Sequence, residues 1–107
     1  LYEMLLNAPE RGDYDLSSLR LGVTGAASVP VQLVRDMRDI LGFETVVTAY
    51  GLTESTGVVS ICRPEDEPET IASTSGRAIE GVELICANPH TGEEVPRGSE
   101  GEVGLRG

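Results

Sequence analysis

Two short runs rich in β-branched residues, Leu21-Gly22-Val23-Thr24-Gly25 and Thr45-Val46-Val47-Thr48-Ala49, flank a single amphipathic stretch. Each run has strand composition, and the first is expected to be a buried strand. In the stretch between them, Val31, Val34, Met37 or Arg38, and Leu41 recur at helical spacing, while Arg35, Asp36, Arg38 and Asp39 fill the other side. Ser28 can cap this helix, Pro30 near the first turn has a suitable fixed φ, and Gly42 supplies the stop. A strand-helix-strand unit takes a parallel arrangement with a right-handed crossover as its default. The fold class is therefore α/β, with the helix packed on a sheet.

Around this unit the chain has little bulk to spend. Its 107 residues allow one domain at most, and one Phe, three Tyr and no Trp require an aliphatic core. Leu1 to Asn7 is expected to be the last turns of a helix ended by Pro9 and Gly12, and Asp15 can cap a single turn before the first strand. After Ala49 the character changes. Gly57 to Cys62 is a strand pattern, Arg63 to Ser75 is an acidic loop in which Pro68 discourages order, and Val82 to Ala87 with Glu102 to Arg106 forms a hairpin. Asn88 to Glu93 and Pro96 to Gly98 are dense in turn formers. Residues 1–75 thus form an α/β part and residues 76–107 the start of a β-rich part.

Charge narrows the partners. Eight Lys and Arg against 18 Asp and Glu give −10, which argues against duplex nucleic acid and against an anionic membrane surface. The apolar stretches fall far short of the ~20 residues that span a bilayer, and Leu1 to Ala8 lacks the features of a signal peptide. Cys62 and Cys86 are too few for a disulfide scaffold and lack metal-ligand spacing, so they are expected to be small strand hydrophobes in a reducing, cytoplasmic setting. A start at Leu1 and an end at Gly107, just after an alternating run, suggest an internal piece of a longer enzyme.

The richest constellation is Tyr50-Gly51-Leu52-Thr53-Glu54-Ser55-Thr56-Gly57, expected just past the C-terminal end of the second strand. In open α/β sheets that edge binds ligands. The first strand delivers Gly25-Ala26-Ala27-Ser28 to the same edge and onto a helix N-terminus, where free N–H groups favour an anion. A ring that stacks on a base, a glycine that admits close approach, a hydroxyl and a carboxylate are what a nucleotide with a divalent cation requires. The blander readings are a tight turn with a Ser cap at Gly25 to Ser28 and a loop hydroxyl beside a solvated carboxylate at Thr53-Glu54. His90 sits among turn residues without a Ser or Cys partner, and Glu65 to Glu69 reads as a solvated run.

Tyr50-Gly51-Leu52-Thr53-Glu54 resembles the Tyr-Gly-x-Thr-Glu motif of the adenylate-forming enzymes: acyl-CoA synthetases, luciferases and peptide-synthetase adenylation domains. The resemblance extends through Asp15 to Arg20, Gly25-Ala26-Ala27 with Pro30, Ser75-Gly76-Arg77, Thr91 to Pro96, and Gly101 to Gly107, and is closest to fatty-acyl or aryl-acid CoA ligases. It implies that Tyr50 lies against adenine and Gly25, Ala26 and Ala27 line the adenine pocket. It further implies that Gly51 and Thr53 contact the nucleotide, Thr53 at the AMP phosphate, and that Glu54 ligates Mg²⁺. The implied reaction turns a carboxylate and ATP into acyl-AMP and pyrophosphate, after which the thiol of coenzyme A displaces AMP. Thr53 and Glu54 are then the catalytic residues.

The family's Gly-rich phosphate loop, ribose-binding Asp and catalytic Lys have no counterparts among these residues, so the segment alone is expected to be inactive. Its small loop reads Gly-Ala-Ala where many members have Gly-Gly-Ala or Gly-Ala-Glu. A stand-alone nucleotide- or acyl-binding module is the alternative. A scaffold that forms homo-oligomers through exposed faces is a third reading.

Overall fold

The computed structural model describes residues 1–25 and 28–107, which form two units, Leu1–Arg77 and Ala78–Gly107. In chain order the elements are α1 (Tyr2–Asn7), β1 (Leu21–Thr24), α2 (Val31–Asp39), β2 (Thr45–Leu52), β3 (Gly57–Ile61), α3 (Pro68–Ser73), β4 (Arg77–Ala78), β5 (Glu83–Ala87) and β6 (Glu102–Arg106). Short 3₁₀ turns occupy Pro9–Asp13 and Thr53–Ser55. No helix among the described residues is long and apolar enough to cross a membrane.

The expected α/β unit is present. β1 and β2 are parallel, in register from Leu21 opposite Thr45 to Thr24 opposite Thr48. α2 crosses between them and buries Val34 and Met37, which join Leu41, Phe43, Val46, Val47, Cys62 and Ile71 in an aliphatic core. Gly22 makes room for the helix, since a Cβ there would lie 2.8 Å from Met37 Cε. α1 closes one end, where the Tyr2 ring meets Phe43 edge-on at 5.8 Å and the Tyr2 hydroxyl donates to Val23 O at 3.0 Å. Gly42 does stop α2: it takes φ +78°, and the Phe43 N–H returns to Met37 O at 3.1 Å. Asp15 caps its turn, its Oδ1 accepting the Ser17 N–H at 3.0 Å while the Leu19 N–H donates to Leu16 O.

Four expectations need correction. Ser28 does not cap α2; Pro30 is the boundary residue, with φ −63° and an extended ψ of 141°, so the helix begins one residue later and out of Ser28's reach. β1 is not a fully buried strand, because Gly22 and Thr24 face the core while Leu21 and Val23 remain 47% and 45% exposed. Arg63 to Ser75 is not all loop. Pro68 opens α3 instead of blocking it, because a helix's first turn needs no N–H from Pro, and Ile71 anchors the helix in the core. Glu69 in its first turn pairs with Arg35 of α2. Finally, β2 does not end at Ala49 but runs on to Leu52, paired antiparallel with β3. Cys62 is buried just beyond β3, its N–H donating to Thr48 O at 2.8 Å.

In the second unit β5 and β6 pair antiparallel from Glu83 opposite Arg106 to Ala87 opposite Glu102, as the hairpin pattern implies. Asn88 organises the first turn: its Oδ1 accepts the His90 and Thr91 N–H groups, and its own N–H donates to Glu93 O at 2.8 Å. Cys86 lies in β5 as a free, half-buried thiol.

Candidate functional site

The parallel pairing of β1 and β2 ends at Thr24 and Thr48, and from there the two strands part company. β2 continues through Ala49, Tyr50, Gly51 and Leu52 with β3 as its partner, and the chain turns back through Thr53, Glu54, Ser55 and Thr56. Tyr50-Gly51-Leu52 therefore stands on a strand and Thr53-Glu54 at the tip of a hairpin, where a loop was expected. Gly25 leaves β1 beside Ala49: a Cβ on Gly25 would lie 2.6 Å from Ala49 O. The small-residue loop thus begins against the residue before Tyr50. Ala26 and Ala27 lie outside the described residues.

The register explains the motif's glycine. Tyr50 pairs with Ser60 but Gly51 pairs with Val58, so β3 has one extra residue here, a bulge that bends the hairpin. The bend drives the Gly57 carbonyl into the space where a Cβ on Gly51 would sit. Gly51 is thus required by its own partner strand, a different reason from close approach of a ligand. Thr56 takes φ 65°, a left-handed conformation that β-branched residues rarely adopt and that costs on the order of 1–3 kcal/mol. Ser55 holds the turn, its Oγ accepting the Leu52 N–H at 3.0 Å and lying 2.8 Å from Leu52 O and 2.9 Å from Gly57 O. The Thr56 N–H donates back to Thr53 O at 3.1 Å.

This turn is built by backbone and Ser55, which leaves the two flanking functional groups unused. Thr53 and Glu54 are exposed, and among the described residues neither side chain makes a hydrogen bond or an ion pair. Tyr50 is half-buried. Beside Gly25 a cleft of about 380 Å³ is lined by Tyr2, Val23, Thr24, Ser28 and Leu33, so Gly25 opens onto it, whereas Thr53 and Glu54 are not among its walls. The structure brings Gly25 to Ala49, the residue before Tyr50; among the described residues neither Tyr50 nor the hairpin tip lines the same cleft. Among the described residues no three His, Cys, Asp or Glu side chains converge as a metal cage. His90 and Arg77 are exposed and stand apart from this region in sequence.

A model of the AMP-binding enzyme family matches residues 1–107, the whole chain. The chain belongs to this family. A 3-[(3aS,4S,7aS)-7a-methyl-1,5-dioxo-octahydro-1H-inden-4-yl]propanoyl:CoA ligase of Mycobacterium tuberculosis is 50% identical over 104 residues, 97% of this chain and 20% of the relative. The ligase of the same name from Rhodococcus jostii is 47% identical over 107 residues, 100% of this chain and 18% of the relative. Among solved structures, an anthranilate CoA ligase in complex with anthranoyl-AMP superposes with a TM-score of 0.82 at 31% identity, covering 98% of this chain and 19% of that one. The chain thus spans about a fifth of the length of these relatives.

Sequence reasoning missed Ser55 and Thr56 as the residues that shape the tip. It also missed the Thr24 and Thr48 pair where the strands part. A Thr-Gly pair after a strand pattern, Thr56-Gly57, is the available signal for a tight turn, and two threonines at matching strand positions are the signal for the second.

Proposed function

We propose that this chain supplies the adenine and phosphate side of the nucleotide site in an ATP-dependent acyl-CoA synthetase. Residues 1–75 would be part of the α/β nucleotide-binding subdomain and residues 76–107 the start of a β-rich one. The single observation that carries the reading is the hairpin tip, which presents a hydroxyl and a carboxylate, both unpaired among the described residues, three and four residues beyond Tyr50, in a chain matched throughout by an AMP-binding family. In this reading the Tyr50 ring stacks on adenine, Gly25, Ala26 and Ala27 line the adenine pocket, Gly51 contacts the nucleotide, and Thr53 meets the AMP phosphate. The acid attacks the α-phosphate of ATP to give acyl-AMP and pyrophosphate, and CoA then takes the acyl group and releases AMP.

The chain's own contribution is positioning and charge. Thr53, already held on a fixed turn, donates to a phosphate oxygen without reorganising as charge develops there. Glu54 is the residue that would hold Mg²⁺, and one free carboxylate suits an ion that takes most of its ligands from phosphate and water. When bound, such an ion offsets charge on the phosphate oxygens. The two relatives above are named for a polycyclic propanoyl group, which makes bulky propanoic acids the first substrates to try, ahead of fatty and aryl acids. Two free thiols support a reducing cytoplasmic setting, and the open face at Leu21 and Val23 supports association of copies when nothing else covers it.

The test uses the full-length protein that carries this segment. Glu54→Ala is expected to lower acid-dependent ATP–pyrophosphate exchange by about 100-fold or more. Exchange near the unmodified rate would sink the assignment. The isolated 107-residue chain is expected to show no exchange, and tight ATP binding by that chain alone would favour a stand-alone module.

A further inference from the structure

We infer that Thr24 and Thr48 are positioning residues for the nucleotide site: a buried hydroxyl clasp at the fork where the Gly25 loop and the Tyr50 strand diverge. The inference rests on the nucleotide reading above. Thr24 and Thr48 are the last pair of the parallel register, and both are buried. Their hydroxyl oxygens are 2.7 Å apart, and Thr48 Oγ1 also lies 2.7 Å from the carbonyl of Ile71.

The proton count fixes the direction of this chain. A carbonyl accepts only, so the single Thr48 proton goes to Ile71 O, and the contact between hydroxyls must be Thr24 donating to Thr48. The competing acceptor for Thr24, Val47 O, is longer at 3.4 Å. Ile71 O needs this donor because it is one of the last carbonyls of α3, which no helical N–H satisfies. One relay, Thr24 to Thr48 to Ile71, therefore ties β1, β2 and α3 together in the interior.

Its placement gives it a second role. Thr24 is followed by Gly25 and Thr48 by Ala49 and Tyr50, and Gly25 already lies against Ala49 O. On its other side the Thr48 carbonyl accepts the Cys62 N–H at 2.8 Å, which binds it to the strand that forms the hairpin. Thr48 thus sets β1, β3 and α3 relative to each other two residues before the proposed adenine ring contact. A hydrophobic residue of equal shape fills the same space but cannot hold the fork.

The measurements are the ATP dissociation constant and the nucleotide-free melting temperature of the full-length protein that carries this segment, with Mg-ATP as the probe. Thr48→Val and Thr24→Val are each expected to raise the dissociation constant about tenfold, and Thr48→Ser is expected to restore it. Thr24→Val leaves the Thr48 bond to Ile71 in place, so it remains informative if Thr48→Val fails to fold. Val34→Ala, a core change outside the threonine relay, is expected to lower the melting temperature while leaving the dissociation constant unchanged. Equal loss of affinity in Val34→Ala would mean that the threonines act only through general stability, and would overturn the inference. Weakened binding in Tyr50→Ala with unmodified binding in both valine variants would overturn the inference alone. Unmodified binding in Tyr50→Ala as well would overturn the nucleotide reading with it.

Discussion

Every buried apolar side chain among the described residues lies between Val34 and Cys62 or at Ile71, whereas Ala78–Gly107 contains no buried residue. Both units contain well-paired strands, so hydrogen bonding does not separate them. In the first, α2 and α3 cover one face of β1 and β2, and each strand pair gains a layer of Met37, Phe43, Val46 and Ile71. In the second, Val103 and Leu105 stay 50% and 43% exposed on β6. A two-stranded hairpin alone is at best marginal in water. Turn chemistry at Asn88 is enough to choose the hairpin's register, but only the first unit has the packing to hold a functional geometry.

Mutations should expose this asymmetry, and the largest effect is expected at Gly76. Its φ is +78°, and a Cβ would overlap the Ile61 carbonyl and the Cys62 nitrogen, so Gly76→Ala must displace the backbone that follows β3. A loss of about 4 kcal/mol or more is expected in urea unfolding of the 107-residue chain. A loss below about 1 kcal/mol would show that the backbone after β3 yields to a side chain at little cost.

Next in size is a matched pair of truncations. Met37→Ala removes a fully buried side chain and is expected to cost about 2–5 kcal/mol. Leu105→Ala in the second unit is expected to stay within about 0.5 kcal/mol. Comparable urea midpoints for the two variants would mean that β6 buries a core of its own, and the contrast between the units would disappear.

The α/β unit was legible because its signals are local and redundant. Helical spacing from Val31 to Leu41, a terminal Gly42 and two β-branched runs all point to one arrangement. α3 was not legible, since six residues with one apolar anchor have no periodicity, and Pro68 reads equally as a breaker or as a first-turn residue. The open face of β1 was hidden for a related reason: Leu21-Gly22-Val23 is apolar throughout, and only tertiary packing decides which side is covered. At the site, the residue types of Tyr50 to Glu54 were plain, but their placement was not. The bulge opposite Tyr50 and Gly51 depends on where β3 begins, and that is set by the left-handed Thr56, which sequence patterns disfavour. The threonine clasp depends on register between strands more than twenty residues apart.

The smallest effect is expected at the exposed edge of the first unit, where Asp15 caps its turn. Ser17, first through its hydroxyl and then through its backbone N–H, holds the Asp15 carboxyl below its ordinary value of 3.8. The unfolded chain has no such turn, so at acid pH it binds more protons at this residue than the folded chain does. The resulting stability is complete above 3.8 and is lost as pH falls through the lower folded value. Asp15→Asn keeps an acceptor oxygen but has nothing to titrate, so its melting temperature should lie slightly below the unmodified chain's at neutral pH. That gap should close as the pH is taken toward about 2. Amide exchange in β5 and β6 should be indifferent to the substitution at every pH. A gap that persists undiminished in acid would mean that the carboxylate's charge contributes nothing, and that the oxygen accepting the Ser17 N–H is all the turn requires.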